Sequence, residues 1–229
     1  MQSRKIVFVI VEGPSDEDAL GVLFNRIYDK ETVYVEVMHC DITTEKHVTP
    51  SNIVAKVGDV VKHYAGRHFR PNDFTRIIHI ADTDGAFVPA DAVIYDPEKQ
   101  KPLYTETAIY TRNKSGIEAR NQCKSENLRR LSSTSTIWNI PYQIYYMSCN
   151  LDHVLYGKQN SSDTDKQHDS MEFAERYEND IPSFLRFISD SEFSVKGEYR
   201  QSWQYIQDGL HSLARYTNLG VCFCYKQNK

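Results

Sequence analysis

The sequence lacks the features that would place it in several common classes. Its longest apolar run is Ile6 to Val11, far short of the roughly 20 residues that a membrane-spanning helix needs. Met1 to Lys5 leads straight into that run, with no longer apolar stretch and no small-residue cleavage site. A cytosolic (cytoplasmic) location is therefore expected. Cysteines are few: Cys40, Cys123, Cys149, Cys222 and Cys224. Their odd number and the absence of CxxC exclude a disulfide framework and a four-cysteine zinc site. Cys222 and Cys224 alternate with Val221, Phe223 and Tyr225, which predicts two small buried residues on one face of a strand. The histidines are scattered; there is no HExxH, and His63 and His68 are five apart, the wrong spacing for one helix face. No GxxxxGK[ST] occurs, so the chain has no ATP-binding loop of that type.

Positive charge is also in short supply. Lys and Arg number 27 against 31 Asp and Glu, a net charge of −4. That disfavours tight, metal-independent binding of nucleic acid through bulk charge. It does not exclude a polyphosphate substrate, because the charge is unevenly spread. Arg112, Lys114, Arg120, Lys124, Arg129 and Arg130 face only Glu118 and Glu126 in the same stretch.

The chain has 229 residues, 40% of them hydrophobic and 25% charged. That is enough for one large domain, or one domain with a sizeable insertion. Lys5 to Val11 reads as a fully buried strand. After the turn Glu12-Gly13-Pro14-Ser15, residues 16 to 28 read as a helix, with Ser15 as N-cap and Asp18 completing a capping box. Strands follow at 32 to 39 and 74 to 81, with a helix at 51 to 67 between them. This alternation indicates an α/β fold with a mostly parallel sheet flanked by helices and right-handed crossovers.

Beyond Asp84 the pattern breaks. Residues at about 86 to 140 read as an insertion, with a strand at 104 to 110 and a polar helix from about 116 to 131. A strand returns at 142 to 147. Helices are expected at 151 to 156, 170 to 177, 181 to 188 and 199 to 213, with a polar loop at 160 to 169. The organisation expected is a core of residues 1–158 carrying the insertion, and a mostly helical C-terminal region, 159–229, packed on it.

In an open α/β sheet, ligands bind at the carboxyl ends of the strands. Three strand ends here deliver carboxylates: Glu12 after the first, Asp82 and Asp84 after the third, and Asp152 after the strand at 142 to 147. Asp82 and Asp84, two apart on extended backbone, would share one face. Such oxygen donors suit Mg²⁺ or Mn²⁺. Without a cation, the carboxylates would raise one another's pKa. Gly13 would let the chain bend after Glu12, and Gly85 would let it turn away after Asp84.

Val11-Glu12-Gly13-Pro14-Ser15-Asp16 and Asp82-Thr83-Asp84-Gly85 resemble the E-G-x-x-D and D-x-D motifs of the Toprim family. The likeness is to its nuclease branch, which includes overcoming-lysogenization-defect nucleases and the nucleases of anti-phage and abortive-infection systems. It covers residues 5 to 85 well and 142 to 158 loosely. The resemblance implies a Toprim-like Rossmannoid core and Mg²⁺-dependent cleavage of phosphodiester bonds in RNA, tRNA included, or in DNA. It implies a catalytic group of Glu12, Asp82 and Asp84, with Glu12, Asp16, Asp82, Asp84 and Asp152 as metal ligands. It further implies a cytoplasmic toxin-like effector in antiviral defence, regulated by an ABC-type ATPase partner; a homodimer is compatible with it. The topoisomerase extension D-x-D-x-E-G is absent, since Gly85-Ala86-Phe87 follows Asp84.

Arg112, Lys114, Arg120 and Lys158 are the candidates for nucleic-acid contact. Each candidate also has a plainer reading. Asp16 and Asp18 would complement a helix N-terminus, Asp152 would be a first-turn acid, and the basic stretch would be a solvated helix face. The function alternative is a non-catalytic Toprim-like module that binds a nucleotide or regulates an ATPase.

Overall fold

The computed structural model describes residues 4–28 and 33–224. Strands are β1 (Lys5–Val11), β2 (Val33–His39), β3 (Phe74–Asp82), β4 (Val93–Tyr95), β5 (Leu103–Tyr104), β6 (Ile109–Thr111), β7 (Thr136–Ile137) and β8 (Ile140–Met147). Helices are α1 (Pro14–Ile27), α2 (Ile53–Ala65), α3 (Lys114–Ser132), α4 (Leu151–Tyr156), α5 (Asp163–Tyr177), α6 (Ile181–Asp190), α7 (Tyr199–Tyr205) and α8 (Val221–Cys224).

The main sheet has the order β2-β1-β3-β8-β7. The first four of these strands run parallel, and β7 closes the edge as an antiparallel hairpin partner of β8. Period-two alternation along each central strand fills two cores. Val7, Val9 and Val11 of β1 pack on one side with Leu20, Leu23 and Phe24 of α1 and Phe173 and Phe184 of α5 and α6. Ile6, Phe8 and Ile10 pack on the other with Val57 and Val61 of α2, Leu128 of α3 and Trp203 of α7. Each such aliphatic side chain taken fully out of water contributes about 1.5–3 kcal/mol. The protein is thus α/β, with a mostly parallel sheet flanked by helices on both faces. No helix among the described residues is long and apolar enough to cross a membrane.

Several expectations are corrected. Helix α1 starts at Pro14 rather than Asp16. Gly13 is its N-cap, and the Asp16 carboxylate accepts from the Gly13 N–H at 3.0 Å. Proline at the first helical position accounts for the earlier start, since its missing N–H would be unpaired there anyway. The strand expected at 104 to 110 is two short strands, β5 and β6, paired antiparallel. The polar loop expected at 160 to 169 belongs largely to α5, which begins at Asp163 through a reciprocal Ser162–Asp165 capping box. The helix expected at 199 to 213 stops at Tyr205 and gives way to turns. The cysteine strand near the C-terminus is instead the short helix α8, in which Cys222 is buried. Thr32 and Tyr225 lie outside the described residues.

Residues 86 to 140, expected as an insertion, include a second small sheet, β4-β6-β5, and the long helix α3. Chain beyond α7 returns to brace the C-terminal end of β8: Ser148 N donates to Tyr216 O and Cys149 N to Ser212 O, each at 2.9 Å. Gly85 sits against this return. Its φ is +66°, and a Cβ there would lie 2.7 Å from Leu213 Cδ2. Gly13, by contrast, has φ −133°, and a Cβ there would meet only Asp16, at 3.8 Å, so its backbone does not require glycine. The sharp bend expected at Gly13 is therefore absent. Gly85→Ala should lower stability by about 2 kcal/mol or more, from left-handed strain plus overpacking. Gly13→Ala should change it by less than about 0.5 kcal/mol. Urea unfolding of the two variants checks the contrast.

Candidate functional site

Because β1, β2, β3 and β8 are parallel, their C-terminal ends lie on one edge. At or just after these ends stand Glu12, Asp41, Asp82 to Asp84 and Asn150 to Asp152. A cleft of about 490 Å³ opens on that edge, and its walls include Glu12, Asp16, Asp41, Asp82 and Lys166.

Glu12 accepts from the Thr43 hydroxyl at 3.0 Å. Burial, with repulsion from Asp41 and Asp84, raises its pKa despite the nearby Lys124. Asp16, inside the first turn of α1, is 9% exposed. Burial raises its pKa too, and Asp152 adds to the rise, while the Gly13 N–H opposes it. Asp82 is raised well above the usual carboxylate range, first by burial and then by Glu12, Asp16 and Asp84.

Asp84 differs from the expectation of two carboxylates on extended backbone. Its φ is +49°, outside any strand. The left-handed turn directs its carboxylate onto the Lys124 ammonium, with which it forms a very short ion pair. Burial would raise the Asp84 pKa, but Lys124 and Arg120 outweigh it and hold the group below its usual value. The turn is fixed from behind by Thr83, whose N–H donates to Met147 O at 2.9 Å and whose hydroxyl donates to Ser212 O at 2.9 Å. The same hydroxyl accepts from Cys149 N at 2.8 Å.

Lys124 is a functional candidate that the sequence presents only as one charge in a basic stretch. Its side chain is 0% exposed, and its ammonium lies 3.4 Å from both Glu12 oxygens. The helix register explains the placement. Ile117, Asn121, Lys124, Leu128 and Leu131 are the buried stripe of α3, with the 4-3-4-3 spacing of one helix face. A lysine inside an otherwise core-facing stripe is the signal that could have found it.

Arg120 and Asn121 hold the same loop. Arg120 Nη2 donates to Asp84 O at 2.7 Å, and its other guanidinium groups reach the Tyr104 hydroxyl and Asn121 Oδ1. Arg120 is therefore committed within the fold, not presented to a nucleic-acid backbone. Arg112 is exposed and donates to Gln100 at 2.6 Å, and Lys114 pairs with Glu118 at 3.8 Å. Lys114 stands about 15 Å along α3 from Lys124. Lys158 is exposed and paired with Asp169 at 2.7 Å, outside the cleft walls. None of the four basic candidates is brought to the cleft.

Asp152 is 3% exposed, and its Oδ2 has no hydrogen-bond donor. Lys166 of α5 lies 3.5 Å from it and lines the cleft. Lys166 and Asp41 are absent from the residues that the motifs single out. Asp41 follows close on the end of β2, and Lys166 continues the buried face of α5 formed by Ser170, Phe173 and Tyr177. His153, another group near the last strand, is buried, and burial with Arg215 lowers its pKa to about 4.

Among the described residues, no three His, Cys, Asp or Glu side chains stand close enough together to hold a metal ion as they are placed. The donors are nonetheless hard oxygens on one edge, and Asp82 has the like charges of Glu12, Asp16 and Asp84 around it. Neither a protein-family model, nor a curated protein, nor a solved structure matches the chain.

Two outcomes test this electrostatic arrangement. Lys124→Met leaves Glu12 and Asp84 without their ammonium and should cost about 3–5 kcal/mol in chelated protein, read by denaturant unfolding. Asp16 and Glu12 have folded pKa values raised to about 6 and about 8. They bind protons more tightly folded than unfolded, so stability is complete at low pH and falls as pH rises through these values. In chelated protein, the melting temperature of Glu12→Gln relative to wild type should therefore climb between about pH 4.5 and about pH 8.

Proposed function

We propose that the chain is a Toprim-like, Mg²⁺-dependent nuclease that cleaves phosphodiester bonds in RNA, tRNA included, or in DNA. The observation that supports it most is the convergence of Glu12, Asp16 and Asp82 on one cleft at the C-terminal edge of a parallel sheet, with Lys166 on its wall. The order of motifs along the chain, E-G-x-x-D then D-x-D, agrees with that placement.

The donor chemistry fits Mg²⁺ or Mn²⁺. Carboxylates crowded on one cleft edge, whose burial and mutual repulsion raise their proton affinity, are the groups a divalent cation satisfies. Asp16 and Asp82 would hold the ion, with Glu12 beside them. When bound, such an ion activates water and stabilises charge on the phosphoryl oxygens. Glu12, whose pKa burial raises to about 8, would take a proton from an attacking water once a bound cation favours its ionised form. Lys166, half-buried on the cleft wall, is placed to meet a phosphate. Asp84, Arg120 and Lys124 hold the loop and Glu12 in position.

The resemblance also supports a role as effector in an anti-phage or abortive-infection system, kept inactive by an ABC-type ATPase partner until infection. The non-catalytic reading, a module that binds an ATPase or nucleotide, has one observation in its favour: the Lys124 ammonium already sits between Glu12 and Asp84.

Cleavage of plasmid DNA and total RNA, by the chain alone and with its ATPase partner, separates the two. Wild type should cleave one of them only with Mg²⁺ or Mn²⁺. Glu12→Ala and Asp82→Asn should each lose at least about 100-fold while remaining folded. Equal cleavage by Glu12→Ala, or no cleavage under any of these conditions, would overturn the nuclease reading. ATPase binding that ignores Mg²⁺ would then favour the module.

A further inference from the structure

Lys124 bears on how many ions the site can take, an inference that rests on the metal-dependent reading above. Burying an ammonium completely is costly unless carboxylates and hydrogen bonds compensate it. Here Glu12 and Asp84 do so. The ammonium is not free to swing away. On the same helix, Arg120 is bonded to Asp84 O at 2.7 Å, Asn121 to Gly85 O at 3.3 Å, and Asn127 to Thr43 O at 3.1 Å. Helix α3 is thereby tied to both loops that flank the carboxylates.

The acids consequently fall into separate groups. Glu12 and Asp84 share the buried ammonium. Asp152 has Lys166 at 3.5 Å. Asp16 and Asp82 line the open cleft, as Glu12 does, whereas Asp84 and Lys124 do not. Two-metal phosphodiesterases hold ions about 3.5–4 Å apart between shared carboxylates. An ammonium fixed between Glu12 and Asp84 takes one of those places and supplies one positive charge there.

We propose that Lys124 is a resident cation standing in for one of two metal ions, so that the site takes a single divalent ion on its Asp16–Asp82 side. Lys124 is then a positioning residue, holding Glu12 and Asp84 in place whether or not the ion is bound.

The test is Mn²⁺ titration of the full chain, followed by the electron paramagnetic resonance of free Mn²⁺ and by calorimetry, with thermal unfolding measured alongside. Wild type should bind one Mn²⁺ per chain. Lys124→Gln should bind two, and should need Mn²⁺ to reach the wild-type melting temperature. Asp84→Asn/Lys124→Gln, in which the pair is replaced by neutral hydrogen-bonding groups, should fold in chelator and bind one. Two ions on wild type would overturn this inference and leave the nuclease reading standing, as would one ion on a Lys124→Gln protein that melts like wild type in chelator. No binding by wild type at millimolar Mn²⁺ would overturn both. If Lys124→Gln does not fold at any Mn²⁺ concentration, the double variant decides: one ion supports the inference, and two or none overturns it.

Discussion

Mutual repulsion among buried carboxylates is the constraint around which this protein is organised. A parallel sheet aligns the ends of its strands, and this one puts acids after each of them. Glu12, Asp16 and Asp82 all carry raised proton affinities, first from burial and then from their acidic neighbours. The fold answers with fixed cations from elements outside the sheet: Lys124 and Arg120 from α3, and Lys166 from α5. What remains uncompensated faces an open cleft.

That arrangement gives the insertion a purpose. Its helix α3 buries the polar residues Asn121, Lys124, Ser125 and Asn127 beside Ile117, Leu128 and Leu131. Arg120, Asn121 and Asn127 grip the backbone of the loops bearing Glu12's neighbour Thr43 and the Asp84–Gly85 turn. The segment after α7 completes the support from the other side, through Thr83 and the backbone of Ser148 and Cys149. The acidic edge is thus held by two separate parts of the chain, and the net charge of −4 averages over regions of opposite sign that touch.

The sheet is largely legible in the sequence. The dense β-branched runs of β1 and β3 admit little but buried strands, and strand ends in a parallel sheet must share an edge. Glu12, Asp82, Asp84 and Asp152 emerge from that logic, and Asp16 from the motif that follows β1. Short alternations are less reliable. Cys222-Phe223-Cys224 has the period of a strand, yet four residues at a chain turn form a helix instead. The Ser162–Asp165 box marks the start of α5, but its polar composition reads as loop. Lys124 and Arg120 look like surface charge because composition says nothing of facing. Only the heptad-like spacing from Ile117 to Leu131 reveals that Lys124 points inward. The left-handed turn at Asp84 leaves no mark except the glycine after it, which relieves contact with Leu213 rather than shaping Asp84 itself.

The most direct test of the central claim is a crystal of the protein soaked in Mn²⁺, with anomalous scattering used to locate the metal. A peak is expected in the cleft lined by Glu12, Asp16 and Asp82, with Lys124 still seated between Glu12 and Asp84. An empty cleft in crystals saturated with Mn²⁺ would contradict it.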